Sequence, residues 1–205
     1  PGNYYLIFNA DSAHYVPESS EFDNNFHIQV TAQSAGVFQY QTQASGNWSD
    51  PSIWEYKNPD WTDAPSAPNA ASSNINILNG HTVTVTSDLT VNQTTIESGG
   101  KVTVNNCNLT ISDGTGTDFT VNGTLELTGS SGRISGGGSL VFNSNSTYIH
   151  NRDKGEIPTA TWATTSNCII TGMVNDYSSS SDTPTFNQSF GNFTWNCPGQ
   201  TNEIS

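Results

Sequence analysis

A chain of 205 residues holds one large or two small domains, and with only 11% of its residues charged it relies for solubility on Ser, Thr, Asn and Gly and on a net charge of −13. That charge repels phosphate backbones and anionic lipid, which argues against nucleic acid or a membrane surface as partner. No apolar run approaches the ~18 residues that would span a bilayer. A low charged fraction can mark disorder, but regular Val, Ile and Leu spacing and five Trp point to a packed core.

Residues 1–31 read as a module of their own. Tyr4-Tyr-Leu-Ile-Phe8 is an apolar strand and Phe26-His-Ile-Gln-Val30 an alternating one. Between them come Ala10-Asp11, Val16, Glu18-Ser19, Glu21 and Asn24-Asn25. In that order these elements resemble the closing two strands of the CARDB family, immunoglobulin-like adhesion modules of cell surfaces. The resemblance implies a β-sandwich whose earlier strands lie upstream of Pro1, so the chain is read as a fragment of a longer protein. Asp11, Glu18, Glu21 and Asp23 could hold calcium, but without a fixed alternation of ligands they read as a solvated hairpin loop. Asp11-Ser12-Ala13 resembles the O-glycosylation triplet of Bacteroidetes.

Residues 32–73 read as a linker and an aromatic N-terminal cap. Phe38, Tyr40, Trp48, Trp54, Tyr56 and Trp61 are punctuated by Pro51, Pro59, Pro65 and Pro68, so the block is turn-rich. Bulky rings placed there would cover the open apolar end of a stack of coils. The competing reading makes Trp48, Trp54 and Trp61 a stacking platform for glycans.

From Asn74 to Ile149 the chain is a ladder of β-branched runs of three to five residues, most alternating apolar with Thr or Asn. Val83 and Val102 match at an offset of 19, and Leu89 and Leu109 at 20. A repeat of that length built only from strands and turns predicts a β-solenoid, specifically a right-handed parallel β-helix over 74–205 that continues beyond the fragment. The phrase Gly46-Asn-Trp-Ser-Asp-Pro-Ser-Ile-Trp54, followed by Ile75-Asn-Ile-Leu-Asn-Gly-His-Thr-Val-Thr-Val85, resembles the opening of secreted β-helix regions of Bacteroidetes surface proteins, similar to the G8 module. The likeness spans about residues 45–127 and departs from the family at Tyr56–Ala70, which is longer than its usual connection. It implies export by the type IX secretion system. After Ile149 the ladder loosens, and His150-Asn-Arg-Asp-Lys-Gly-Glu156 concentrates charge in a chain otherwise short of it.

Chemistry is harder to read. A polysaccharide lyase would need calcium-holding acids beside a basic residue, drawn from Asp88, Glu97, Asp113, Asp118 and Glu126 with Arg133, Arg152 and Lys154. A hydrolase needs two carboxylates about 5–10 Å apart. All these acids occupy turn-like or polar positions where Asp also serves the backbone. Asp113-Gly-Thr-Gly-Thr-Asp118 alternates oxygen donors with Gly, which makes Asp113 and Asp118 the candidate calcium ligands, though the bidentate Glu of an EF-hand is missing. The four His show no metal spacing, and the three Cys, far apart and odd in number, read as buried thiols ahead of a disulfide. The reading is therefore an adhesin-like stalk on the bacterial surface or outside the cell, touching glycans or matrix, without catalysis or an obligatory cofactor. Its alternatives are a carbohydrate-active β-helix and an exported cargo held by outer-membrane secretion components.

Overall fold

The computed structural model describes residues 2–9, 25–32, 38–175 and 186–201, which hold twenty strands and one 3-10 turn joined by turns and irregular segments, with no α-helix among them. The chain divides into two units, Pro1–Gly36 and Val37–Ser205. In the first, β1 (Gly2–Asn9) and β2 (Asn25–Ala32) pair antiparallel from Gly2 opposite Ala32 to Asn9 opposite Asn25. They contain the apolar run Tyr4–Phe8 and the alternating run Phe26–Val30, the two strands expected. The connection carrying Ala10-Asp11, Val16, Glu18-Ser19, Glu21, Asp23 and Asn24 lies outside the described residues, as does the Ser-rich stretch 176–184.

The second unit starts with β3 (Gln39–Thr42) and β4 (Gly46–Asn47), a 3-10 turn at Pro51–Ile53, then β5 (Trp54–Lys57) and β6 (Trp61–Asp63). Three full coils follow, each of three strands. They are β7 (Asn74–Ile77), β8 (Thr82–Val85) and β9 (Leu89–Val91), then β10 (Thr94–Ile96), β11 (Lys101–Asn105) and β12 (Asn108–Ile111), then β13 (Phe119–Val121), β14 (Thr124–Thr128) and β15 (Arg133–Gly136). Later coils contribute fewer strands: β16 (Leu140–Phe142) and β17 (Thr147–Asn151), β18 (Thr161–Trp162) and β19 (Asn167–Ile170), and finally β20 (Asn192–Trp195). Parallel ladders join equivalent strands into three sheets, forming a solenoid of about five coils. Val83 stacks under Val102 and Thr94 under Phe119, steps of 19 and 25 residues.

Period-2 alternation decides what is inside. Ile77, Ile96, Val121, Phe142 and Trp162 form one inward row, and Val83, Val102, Leu125, Tyr148 and Cys168 another. Most are fully buried, and each large apolar side chain so placed contributes about 1.5–3 kcal/mol. The intervening Asn76, Thr95 and Thr120, or Thr84 and Thr103, face outward. Aromatics close the upper core: Phe142 and Trp162 stack at 4.2 Å with their planes 5° apart.

The stretch 38–73 is more than a cap. β3 pairs parallel with β7 and β4 with β8, so it supplies an incomplete first coil, while β5 and β6 fold back antiparallel on the β3 edge. Tyr40 lies directly under Ile75, and both are buried. Pro and aromatic residues conceal this alternation in the sequence, because only four residues of β3 show it.

The third sheet, β9-β12-β15, stops three coils in, whereas the other two run on. After β17 the chain crosses residues 152–160 without a strand. No main-chain hydrogen bond joins that segment to β15 among the described residues. This gap in the ladder positions the site described next.

Candidate functional site

Where the fourth strand of the third sheet would lie, a cleft of about 410 Å³ opens between the turn before β15 and the segment after β17. Its floor begins with the ladder pair Asn108 and Arg133. Asn108 is anchored from below, since its backbone N–H and side-chain amide both donate to the Asp88 carboxylate, at 2.8 and 3.3 Å. Ser130, Ser131 and Gly132 form one wall, Arg152, Gly155 and Glu156 the other. Across Glu156 a smaller hollow of about 140 Å³ runs along Ser135 and Gly136, roofed by Ile157 and Pro158. Ile157 is 1% exposed, so it supplies the apolar plug that a fourth strand would have provided.

Two buried side chains hold this wall. Arg152 is 8% exposed; its Nη1 donates to the Gly132 carbonyl and its Nη2 to that of Ser130 at 3.5 Å, tying the segment to the coil below. Its Nε is buried and has no hydrogen-bond partner among the described residues. His150 stands in the inward row between Leu127 and Ile170 and is wholly buried. Its Nε2 lies 2.8 Å from the Lys154 carbonyl, which can only accept, so Nε2 carries the proton. Nδ1 then accepts from the Tyr148 hydroxyl at 3.0 Å. Burial, helped by the nearby Arg152 charge and opposed by the Lys154 carbonyl, pushes the His150 pKa down to about 4. The ring is neutral and structural. Lys154 itself adopts a left-handed φ of 58°, a conformation uncommon for a long side chain.

The acids named from the sequence do not converge on this cleft. Asp88 spans to Asn108 at the start of the third sheet. Asp118, 1% exposed, precedes β13 in the first sheet; its Oδ2 accepts from the Ser139 N–H at 2.7 Å and hydroxyl at 3.0 Å, while Oδ1 is buried with no partner among the described residues. Glu126 faces outward on the second sheet, 2.6 Å from Lys101 Nζ, with Asn151 donating at 3.1 Å and Thr103 at 3.4 Å. Burial works against the Glu126 charge, but these partners outweigh it and hold the carboxyl below its usual range. Asp113 is exposed on the 112–118 turn and Glu97 is half-buried at another corner. Of the basic candidates, Arg133 and Arg152 meet at the cleft. Glu156, the only carboxylate lining it, stood in the sequence merely as the last residue of a charged run.

Among the described residues no group of three or more His, Cys, Asp or Glu is placed to hold a metal ion. Trp48 and Trp54 are 3% and 0% exposed and meet edge to face at 4.9 Å, their indole N–H groups donating to the carbonyls of Pro68 and Trp48. Neither leaves a ring face for a sugar, while Trp61 remains half-buried with Lys57 Nζ 5.9 Å from its ring. Cys107, Cys168 and Cys197 are free thiols. Compared with family models, with curated proteins and with solved structures, the chain matches none.

Proposed function

We propose that this chain is a stiff, non-catalytic segment of an exported bacterial surface protein, which displays rows of Thr and Asn to extracellular glycans or matrix. The observation that supports this reading best is the use made of the acids. Asp88, Asp118, Glu126 and Asp153 each accept hydrogen bonds from the neighbouring coil, so these carboxylates serve to join coils. A carboxylate held by two or three donors is a weak base. Stacked coils give reach and stiffness, and repeated hydroxyl and amide rows give many weak contacts whose sum is avid. The resemblance of residues 1–31 to CARDB modules and of 45–127 to G8-like regions agrees with placement at the cell surface after type IX export.

The test is turnover. Incubated with neutral and acidic polysaccharides, with and without calcium, the chain is expected to release neither new reducing ends nor unsaturated products. Product release that disappears in Asp113→Ala or Asp118→Ala would overturn the reading in favour of a carbohydrate-active β-helix. Co-purification with outer-membrane secretion components would support the cargo reading instead.

A further inference from the structure

Positive charge is scarce in this chain, with five Lys and Arg against eighteen Asp and Glu. Two of the five, Arg133 and Arg152, nevertheless line one cleft. Neither forms an ion pair among the described residues, where Lys101 with Glu126 does. Arg152 is over nine-tenths buried and carries an unpartnered Nε. A guanidinium taken out of water without a counter-charge is costly, and an anion entering the cleft would lower that cost. Arg133, exposed at the opening, makes no side-chain hydrogen bond among the described residues, so its planar fork is available.

The remaining lining selects among anions. Ser131, Asn108 and Glu156 offer hydroxyl, amide and carboxylate groups, and no aromatic or large apolar side chain lines the main cleft. Glu156 would repel a group that concentrates two or more charges, such as the phosphates of a nucleotide, but accepts hydrogen bonds from the hydroxyls of a sugar residue bearing a single charge. About 410 Å³ falls within the ~300–1,000 Å³ of small-ligand sites. We propose that the cleft at the end of the third sheet binds an anionic sugar residue, its carboxylate or sulfate on Arg133 with Arg152 behind, and its hydroxyls on Ser131, Asn108 and Glu156. The proposal rests on the reading of the chain as glycan-contacting and adds a defined pocket and a charge preference.

Calorimetric titration of the whole chain with a galacturonate trisaccharide, a sulfated galactose trisaccharide and neutral galactotriose tests it. One or both anionic sugars are expected to bind, more weakly at higher salt, and Arg133→Ala to lower their affinity by at least about tenfold. Which of the two binds identifies the anionic group. Arg133 is exposed, so Arg133→Ala should leave the melting temperature unchanged, and Arg133→Lys should recover part of the affinity by charge alone. Equal binding of the neutral sugar, indifference to Arg133→Ala, or no binding of either anionic sugar would overturn the proposal. Neutral binding that ignores Arg133→Ala would at the same time uphold the wider reading of Thr and Asn rows as the contact surface.

Discussion

His150 offers the sharpest test of how the upper coils are held. The folded chain keeps its ring neutral with a pKa near 4, against 6.5 when exposed. Depression of a base means the neutral form is favoured on folding. The associated stability is complete above pH 6.5 and is lost as pH falls toward 4. A gap from 6.5 to about 4 corresponds to roughly 3 kcal/mol. In His150→Leu the side chain matches its row neighbours Leu127 and Ile170, but the Lys154 carbonyl and Tyr148 hydroxyl lose the bonds the ring made, at about 1–3 kcal/mol. The variant should therefore be the less stable protein at pH 7. At pH 4 the order should reverse. Carboxylates held below their usual range, such as Glu126 and Asp153, begin to lose their contribution near the acid end of this range, as pH falls through their ordinary values, and do so equally in both proteins. Urea unfolding followed by circular dichroism at pH 7, 5.5 and 4 reads the difference. With a slope of about 1–3 kcal/mol/M, the gap between the two midpoints should move by roughly 1–3 M across that range. Parallel midpoints from pH 7 to 4 would show that His150 titrates normally and that its burial has been misread.

Three further outcomes follow from the packing. Gly136 has φ of 131° and a Cβ there would run into the Ile111 carbonyl, whereas a Cβ on Gly137 meets nothing nearer than Asp113 at 3.9 Å. Gly136→Ala should cost about 1–3 kcal/mol in a thermal melt and Gly137→Ala almost nothing, so equal melting temperatures would refute the close approach. Phe142, fully buried and stacked on Trp162, should cost about 3–5 kcal/mol when truncated to Ala, measurable by denaturant titration. Burial pushes the Cys168 thiol up to about 12 and raises that of Cys107, while Cys197 is half-buried. Native alkylation at pH 8 followed by peptide mapping should therefore label Cys197 first, and labelling of Cys168 at the same rate would contradict the packing.

The stacking was legible because it is local information repeated. Val83 and Val102, and Leu89 and Leu109, announce their register by a constant offset between short alternating runs, and the ladders pair those residues. The same alternation through Tyr148-Ile-His150 places His150 inside, a signal available to anyone who extends the period past the last apolar residue. β3 was harder to see because four residues between aromatics and prolines carry too few periods to stand out. The cleft was not legible at all. It arises from a strand that is missing from the third sheet, and a missing partner leaves no mark on the residues that would have met it. Arg133, Arg152 and Glu156 are up to 23 residues apart in sequence and converge only because one ladder stops.

That interruption also divides the solenoid mechanically. Among the described residues, the full coils from β7 to β15 are riveted to one another along three edges, those from there to β19 along two, and β20 along one. A load drawn along the axis would concentrate at this step, as in a tapering beam whose section narrows abruptly. Amide exchange should locate the joint, with the coils from Leu140 onward opening as a block while those below stay shut. The same joint that admits a ligand would then be the first to yield under tension, and a ligand bridging Arg133 and Arg152 would splint it.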